Sequence, residues 1–306
     1  SWATCRLAPG AVDEVQVPAH LNEAFLLMMS PDGKLLSYSS MGPSRTPRAM
    51  TVGDDETVYV SGEGNFSAPM LTPGGEVYTA PAMHQFFGAF DPLSGQPYWV
   101  VSEPVIPFSS NNRIWLESMD FDGAGLVAAG TVDAPFVEFG ACCEGGETAS
   151  LNVWLYQSLL ADSNCDEEYG MSGPLQWFWV RYDPQGNYER YSAALTDDAN
   201  VTIVGTLDGQ TIVAGGFSCF WALLNPAGQV DRYLAPIDYD DPYMSTGYLA
   251  AIAPDGTLSW ARTQPQDDPW STRPQTVLQS DEIWSFSALH SGTRYSEDGQ
   301  WLGTLS

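Results

Sequence analysis

The chain has 306 residues, 44% apolar and 12% aromatic, enough to fill a large core and unlike a disordered polymer. Its 38 acidic residues stand against 11 basic ones, a formal net charge of −27. That balance argues against nucleic acid as a partner and against an anionic membrane surface, both of which need clustered basic side chains. No stretch reaches the roughly 18 to 20 apolar residues that span a bilayer, so no membrane insertion is expected.

In chain order, the sequence begins Ser1-Trp2-Ala3-Thr4-Cys5, which predicts that a signal or propeptide has been removed and that the protein is secreted, cell-surface or periplasmic. Val12 to Val17 is a candidate closing strand. An apolar run ending in a tight turn then appears at Phe25 to Gly33 (FLLMMSPDG). It recurs at Phe87 to Gly95 (FGAFDPLSG), Phe178 to Gly186 (FWVRYDPQG) and Tyr248 to Gly256 (YLAAIAPDG). An aromatic follows each copy: Tyr38, Trp99, Tyr191 and Trp260. Pro presets the turn and Gly supplies positive φ, so each copy is a chain reversal with a stated cause.

A second landmark follows each turn at a nearly fixed distance. It reads VYVSG to Gly62, LVAAG to Gly130, IVAGG with its first Gly at Gly215, and IWSFSA to Ala288. A third landmark, a further turn, falls at Gly75 and Gly228. Three landmarks kept in register define a repeat of short alternating strands, four units of about six strands each. So many antiparallel strands exceed one sandwich. Radial repetition accommodates them, which predicts an all-β fold: a β-propeller of four-stranded antiparallel blades, about six in number, with five or seven as alternatives. Residues 1–306 read as one propeller domain, with an inserted Cys-containing region at about 136–176. Two side-by-side sandwiches are the competing architecture.

These repeats resemble the β-propeller repeats of bacterial secreted proteins, in which an apolar strand, a D-P-x-G turn and a Trp precede a D-x-x-G-x-V-x-V-x-G segment. FVEFG at Phe136 to Gly140 is similar to the way such repeats continue. The segment Ala89 to Trp99 (AFDPLSGQPYW) also resembles the blade signature of quinoprotein-like propellers. Some of those are pyrroloquinoline quinone-dependent dehydrogenases carrying a disulfide between adjacent cysteines over the cofactor, and Cys142-Cys143 is such a pair. The resemblance specifies fold more than function.

Five cysteines leave at least one without an intramolecular partner. Cys142, Cys143 and Cys165 are the disulfide candidates, because they share the Gly-rich insertion. For catalysis no residue stands out. His20, His84 and His290 are isolated, and neither H-E-x-x-H nor C-x-x-C occurs. Two acidic loops could hold Ca²⁺ through hard oxygen ligands: Asp162, Asn164 and Asp166, and Asp238, Asp240 and Asp241. The first lacks the Gly and terminal Glu of an EF-hand. Apart from Ca²⁺ no cofactor is expected. Trp270, in the polar loop QDDPWSTRP, and Trp177 with Trp179 are the candidate binding aromatics. The composite expectation is a non-catalytic extracytoplasmic module that holds a protein or glycan partner, alone or as a subunit of a surface assembly. The alternative is an enzyme, either a carbohydrate-active hydrolase or lyase or a quinoprotein-like oxidoreductase.

Overall fold

A computed structural model describes residues 3–7, 15–19, 23–43, 45–64, 70–71, 77–78, 84–92, 97–101, 113–133, 136–139, 147–150, 158, 175–196, 200–217, 219–224, 229–235, 246–264, 275–279, 282–286 and 292–305. Their regular elements are β-strands. A hairpin, β1 (Ala3–Leu7) and β2 (Val15–Ala19), is followed by a first sheet, β3 (Glu23–Met29) and β4 (Leu35–Pro43). The second sheet contains β5 (Arg45–Val52) and β6 (Val58–Gly64). After a small hairpin, β7 (Met70–Leu71) and β8 (Val77–Tyr78), it is completed by β9 (His84–Phe90) and β10 (Pro97–Val101).

The third sheet repeats the plan. It has β11 (Arg113–Phe121) and β12 (Leu126–Asp133), a hairpin of β13 (Phe136–Phe139) and β14 (Glu147–Ser150), then β15 (Leu175–Tyr182) and β16 (Tyr188–Thr196). In the fourth, β17 (Asn200–Leu207) and β18 (Gln210–Phe217) precede a hairpin of β19 (Trp221–Leu224) and β20 (Val230–Leu234). The sheet closes with β21 (Thr246–Ile252) and β22 (Leu258–Gln264). The fifth is β23 (Gln275–Gln279), β24 (Glu282–Phe286), β25 (Gly292–Ser296) and β26 (Trp301–Leu305).

The fold class is therefore the expected one: all-β, in antiparallel four-stranded meanders of the propeller-blade type. The repeat frame read from sequence, however, straddles two sheets. Each apolar run and its turn form the third and fourth strands of one sheet, whereas the following landmark is the second strand of the next. The third landmark falls in the small hairpin, since Gly75 and Gly228 lie between β7 and β8 and between β19 and β20, outside the described residues. Residues 136–139 and 147–150 pair as such a hairpin too; residues 159–174 of the expected insertion lie outside the described residues. The β19–β20 hairpin leaves its own sheet and pairs with the outer edge of β16, from Ala193 opposite Leu224 to Thr196 opposite Trp221.

Hydrogen-bond geometry accounts for the recurrent turn. At residues 30–34, 183–187, 253–257 and 296–300, the first N–H donates to the fifth carbonyl and the fourth N–H returns to the first carbonyl, at 2.8–2.9 Å. The fourth residue is Gly33, Gly186, Gly256 or Gly299, with φ between +73° and +85°. The strand register shifts beside each turn, as expected of a bulge carrying a left-handed glycine. The turn at 296–300 (SEDGQ) is a further copy that the sequence repeat omitted.

Landmark glycines 62 and 130 have a different cause. A Cβ on Gly62 would overlap the Thr46 carbonyl oxygen and sit 2.9 Å from Cε1 of Phe86. On Gly130 it would overlap the Trp115 carbonyl and sit 2.9 Å from Cζ of Phe178. The neighbouring first strands bulge at these points, between Pro47 and Ala49 and between Leu116 and Ser118. Close backbone approach, not turning, fixes these glycines.

Sheets stack face to face, and strand alternation assigns each side chain to one interface. In β12, Leu126 and Ala128 join Tyr59, Phe87 and Trp99 of the second sheet, while Val127 and Ala129 join Val213, Tyr248 and Ile252 of the fourth. Indole rings also tie fourth strands to the next sheet's turn. Trp260 donates its Nε1–H to the Glu297 carbonyl at 2.8 Å and lies against Gly299, and Trp99 lies in the same way against Gly186. At the equivalent junction Ser192 donates to the Gly256 carbonyl.

Candidate functional site

The first strands of successive sheets, β5, β11, β17 and β23, lie side by side, and one level of this inner row carries a carboxylate. Asp120 of β11 accepts a hydrogen bond at Oδ1 from the Thr51 hydroxyl of β5, at 3.2 Å. On its other side Gly205 of β17 packs close, and a Cβ there would lie 3.6 Å from Oδ2 and 2.8 Å from Cδ1 of Leu278 in β23. Two positions back, the Ser118 hydroxyl donates to the Ile203 carbonyl at 3.3 Å. Thus four sheets converge around one half-buried acid. Burial holds the Asp120 carboxyl above its ordinary range, and the neighbouring Asp122 carboxylate pushes the same way; hydrogen bonds from Phe121 and Thr51 oppose them.

The turns joining first to second and third to fourth strands share one end of the sheets, because in a meander these connections fall on the same side. This end is rich in acid. Asp122 is buried: it accepts from the Ala124 and Gly125 N–H groups at 3.0 and 2.7 Å and pairs with Arg181, whose Nη2 donates to Oδ1 at 3.1 Å. Arg181 also meets Glu189 at 3.4 Å. Asp255 and Asp32 are exposed turn formers. Thr257 donates to Asp255 from its hydroxyl (2.6 Å) and its N–H, and Ser30 donates to Asp32; these bonds hold both carboxyls below their usual range. Tyr59, stacked on Phe121, has its phenol pushed up to about 12, first by burial and then by Asp55 and Asp183.

The binding aromatics expected in β15 are not at the surface. Trp177 and Trp179 are each 1% exposed, packed between the third and fourth sheets with Trp221 and Tyr248. The intervening Phe178 is buried on the opposite side, in the interface with the second sheet. A strand sandwiched on both faces reads as aromatic throughout, which explains the sequence-level ambiguity. Both tryptophans are corrected to core residues. Trp270, Asp162, Asn164, Asp166, Asp238, Asp240, Asp241, Cys142, Cys143 and Cys165 lie outside the described residues. Cys219, absent from the disulfide candidates, is disulfide-bonded and buried. Among the described residues no three His, Cys, Asp or Glu side chains converge as a metal-ligand group.

Large apolar side chains are exposed chiefly in one region. Leu27 (43%) and Met29 (56%) of β3, Leu36, and Met50 (60%) and Val52 (56%) of β5 all lie on the first sheet or beside it. Sequence reasoning missed them, because alternation marks them as core. A second exposed pair, Trp301 and Leu302, lies on β26 of the fifth sheet, where Arg294 of β25 sits 5.9 Å over the Trp284 ring and pairs with Glu282.

No family model and no characterised protein sequence matches the chain. Among solved structures it is similar to BamB from Moraxella catarrhalis, at 10% identity and a TM-score of 0.35, covering 99% of this chain and 90% of that one. It is similar to Sqt1 of Saccharomyces cerevisiae at 10% identity and a TM-score of 0.27, covering 85% of each. A protein of unknown function from Bacteroides caccae gives 10% identity and a TM-score of 0.25, over 93% and 94%. Likenesses this remote carry no functional argument.

Proposed function

We propose that the protein is an extracytoplasmic binding or scaffold module whose partner is another protein. The observation that carries this reading is the exposed apolar group on and beside the first sheet. Met50 and Val52, 60% and 56% exposed on one face of β5, are large apolar side chains of the kind that marks protein contact. A buried Cys219 disulfide supports an oxidising compartment. The net charge of −27 favours a neutral or basic partner through long-range attraction.

Site-specific photo-cross-linking in an extract of the native source tests the proposal. A cross-linker placed at Met50 or Val52 is expected to trap one discrete protein. The same group at Asp231, on exposed β20, should trap none. Equal trapping at all three positions would overturn the reading.

A further inference from the structure

The five sheets among the described residues differ in the number of strands placed. In the second to fifth, the third strand is paired on both sides: β9 with β6 and β10, β15 with β12 and β16, β21 with β18 and β22, and β25 with β24 and β26. Among the described residues β3, the third strand of the first sheet, is paired with β4 alone.

The described strands that precede β3 do not have the character of a first and second strand. Their hairpin reads Leu7-Ala8-Pro9-Gly10-Ala11, which matches Leu71-Thr72-Pro73-Gly74-Gly75 between β7 and β8 and Leu224-Asn225-Pro226-Ala227-Gly228 between β19 and β20. So β1–β2 corresponds to the small hairpin that sits between second and third strands, not to a first and second strand. Its β2 would also place Pro18 and Ala19 where the second strands carry a small residue and then the close-packed glycine, at 61–62 and 129–130. Pro18 cannot donate to the ladder, and a Cβ at the glycine position has no room.

The same absence is visible from β5. Aligned on Gly62, Gly130 and Gly215, the residues Met50, Met119 and Ile203 occupy one position of the first strand. Met119 and Ile203 are each 7% exposed, covered by the preceding sheet through Tyr59 and Phe87 in one case and Val127 and Trp179 in the other. Met50 is 60% exposed, and among the described residues the preceding sheet has no second strand to cover it.

We propose that the edge of β3 that no described strand pairs and the apolar flank of β5 at Met50 and Val52 form an acceptor site for a β-hairpin donated by a partner polypeptide. This deepens the protein-binding reading above and rests on it. The four complete sheets display what fits: two antiparallel strands whose second pairs with the third strand's edge and whose apolar face covers the next sheet. The net charge of −27 disfavours a second copy as donor and favours a hairpin with neutral or basic flanks.

The probe is a synthetic, fluorescently labelled peptide copying residues 45–64, the chain's own first and second strands, titrated against the full 306-residue protein. Saturable binding is expected, with a scrambled peptide giving none. Met50→Lys should weaken binding at least tenfold. Leu27→Lys should leave it unchanged, because Leu27 faces away from the site, at the position of Val180 and Ala250. Absent saturation, or equal binding by the Met50→Lys protein, overturns the acceptor site. Full amide protection on both edges of β3 before any peptide is added overturns it too. If photo-cross-linking at Met50 still traps a protein in those cases, only the hairpin mode has failed; if it does not, the binding reading fails as well.

Discussion

Four turn glycines share a backbone conformation yet differ in surroundings, so replacing each by alanine separates two costs. Gly33 (φ +85°), Gly256 (+82°), Gly186 (+83°) and Gly299 (+73°) all lie in the left-handed region, where an L-residue pays about 1–2 kcal/mol. A Cβ on Gly33 meets nothing within 4 Å, so Gly33→Ala should cost only that strain. On Gly256 it would lie 3.2 Å from the Ser192 hydroxyl and 3.6 Å from the Trp179 ring, a mild conflict. On Gly186 and Gly299 it would come within 2.8 and 2.7 Å of the Trp99 and Trp260 rings. Those rings are large and nearly buried, and displacing one adds about 1–3 kcal/mol of overpacking. The expected order of destabilisation is Gly33→Ala, then Gly256→Ala, then Gly186→Ala and Gly299→Ala together, at about 2–5 kcal/mol. Urea unfolding followed by tryptophan fluorescence and by circular dichroism measures it. A Gly33→Ala cost equal to that of Gly186→Ala would refute the claim that tryptophan insertion under the turn couples adjacent sheets.

Further outcomes follow from particular residues. The turn at 53–57 has the same hydrogen bonds, Gly53 N–H to the Thr57 carbonyl and Glu56 N–H to the Gly53 carbonyl, but Glu56 holds the left-handed place at φ 67°. Glu56→Gly should stabilise by about 0.5–1 kcal/mol, the relieved strain less the added chain entropy, read as a higher urea midpoint. Because folding raises the Asp120 pKa, the folded state binds more protons than the unfolded one just above the ordinary carboxyl range, and stability falls as pH rises through that window. Asp120→Asn should remove that slope and be more stable at pH 7, as seen by thermal melts from pH 4 to 8. Asp122→Ala strips the buried Arg181 of its main partner and should cost about 3–5 kcal/mol by denaturant unfolding. Asp122→Asn keeps an acceptor for the Ala124 and Gly125 N–H groups and should cost less.

The sequence exposed the fold through features that local physics forces. A left-handed turn position demands Gly, and the close approach of β5 to β6 and of β11 to β12 demands Gly62 and Gly130. Both recur wherever the geometry recurs. The frame was displaced by half a sheet because a turn is a stronger signal than a sheet boundary, which leaves no compositional mark. The copy at 296–300 was missed since SEDG lacks the proline of its relatives. Surface and core were less legible: Trp177 and Phe178 are equally apolar and are buried in opposite interfaces, while Met50 and Met119 are the same residue in opposite environments. What separates them is whether a neighbouring sheet is complete, a property of the assembly and not of the local sequence.

Among the described residues the first sheet has two strands and β3 is paired on one edge, and amide hydrogen exchange on the isolated chain tests that open edge directly. Interior third strands β9, β15 and β21 are paired on both edges and should be protected at consecutive residues. In β3 only alternate amides, those donating to β4, should be protected, with the others exchanging orders of magnitude faster. Uniform protection along Leu26 to Met29 would contradict the open edge.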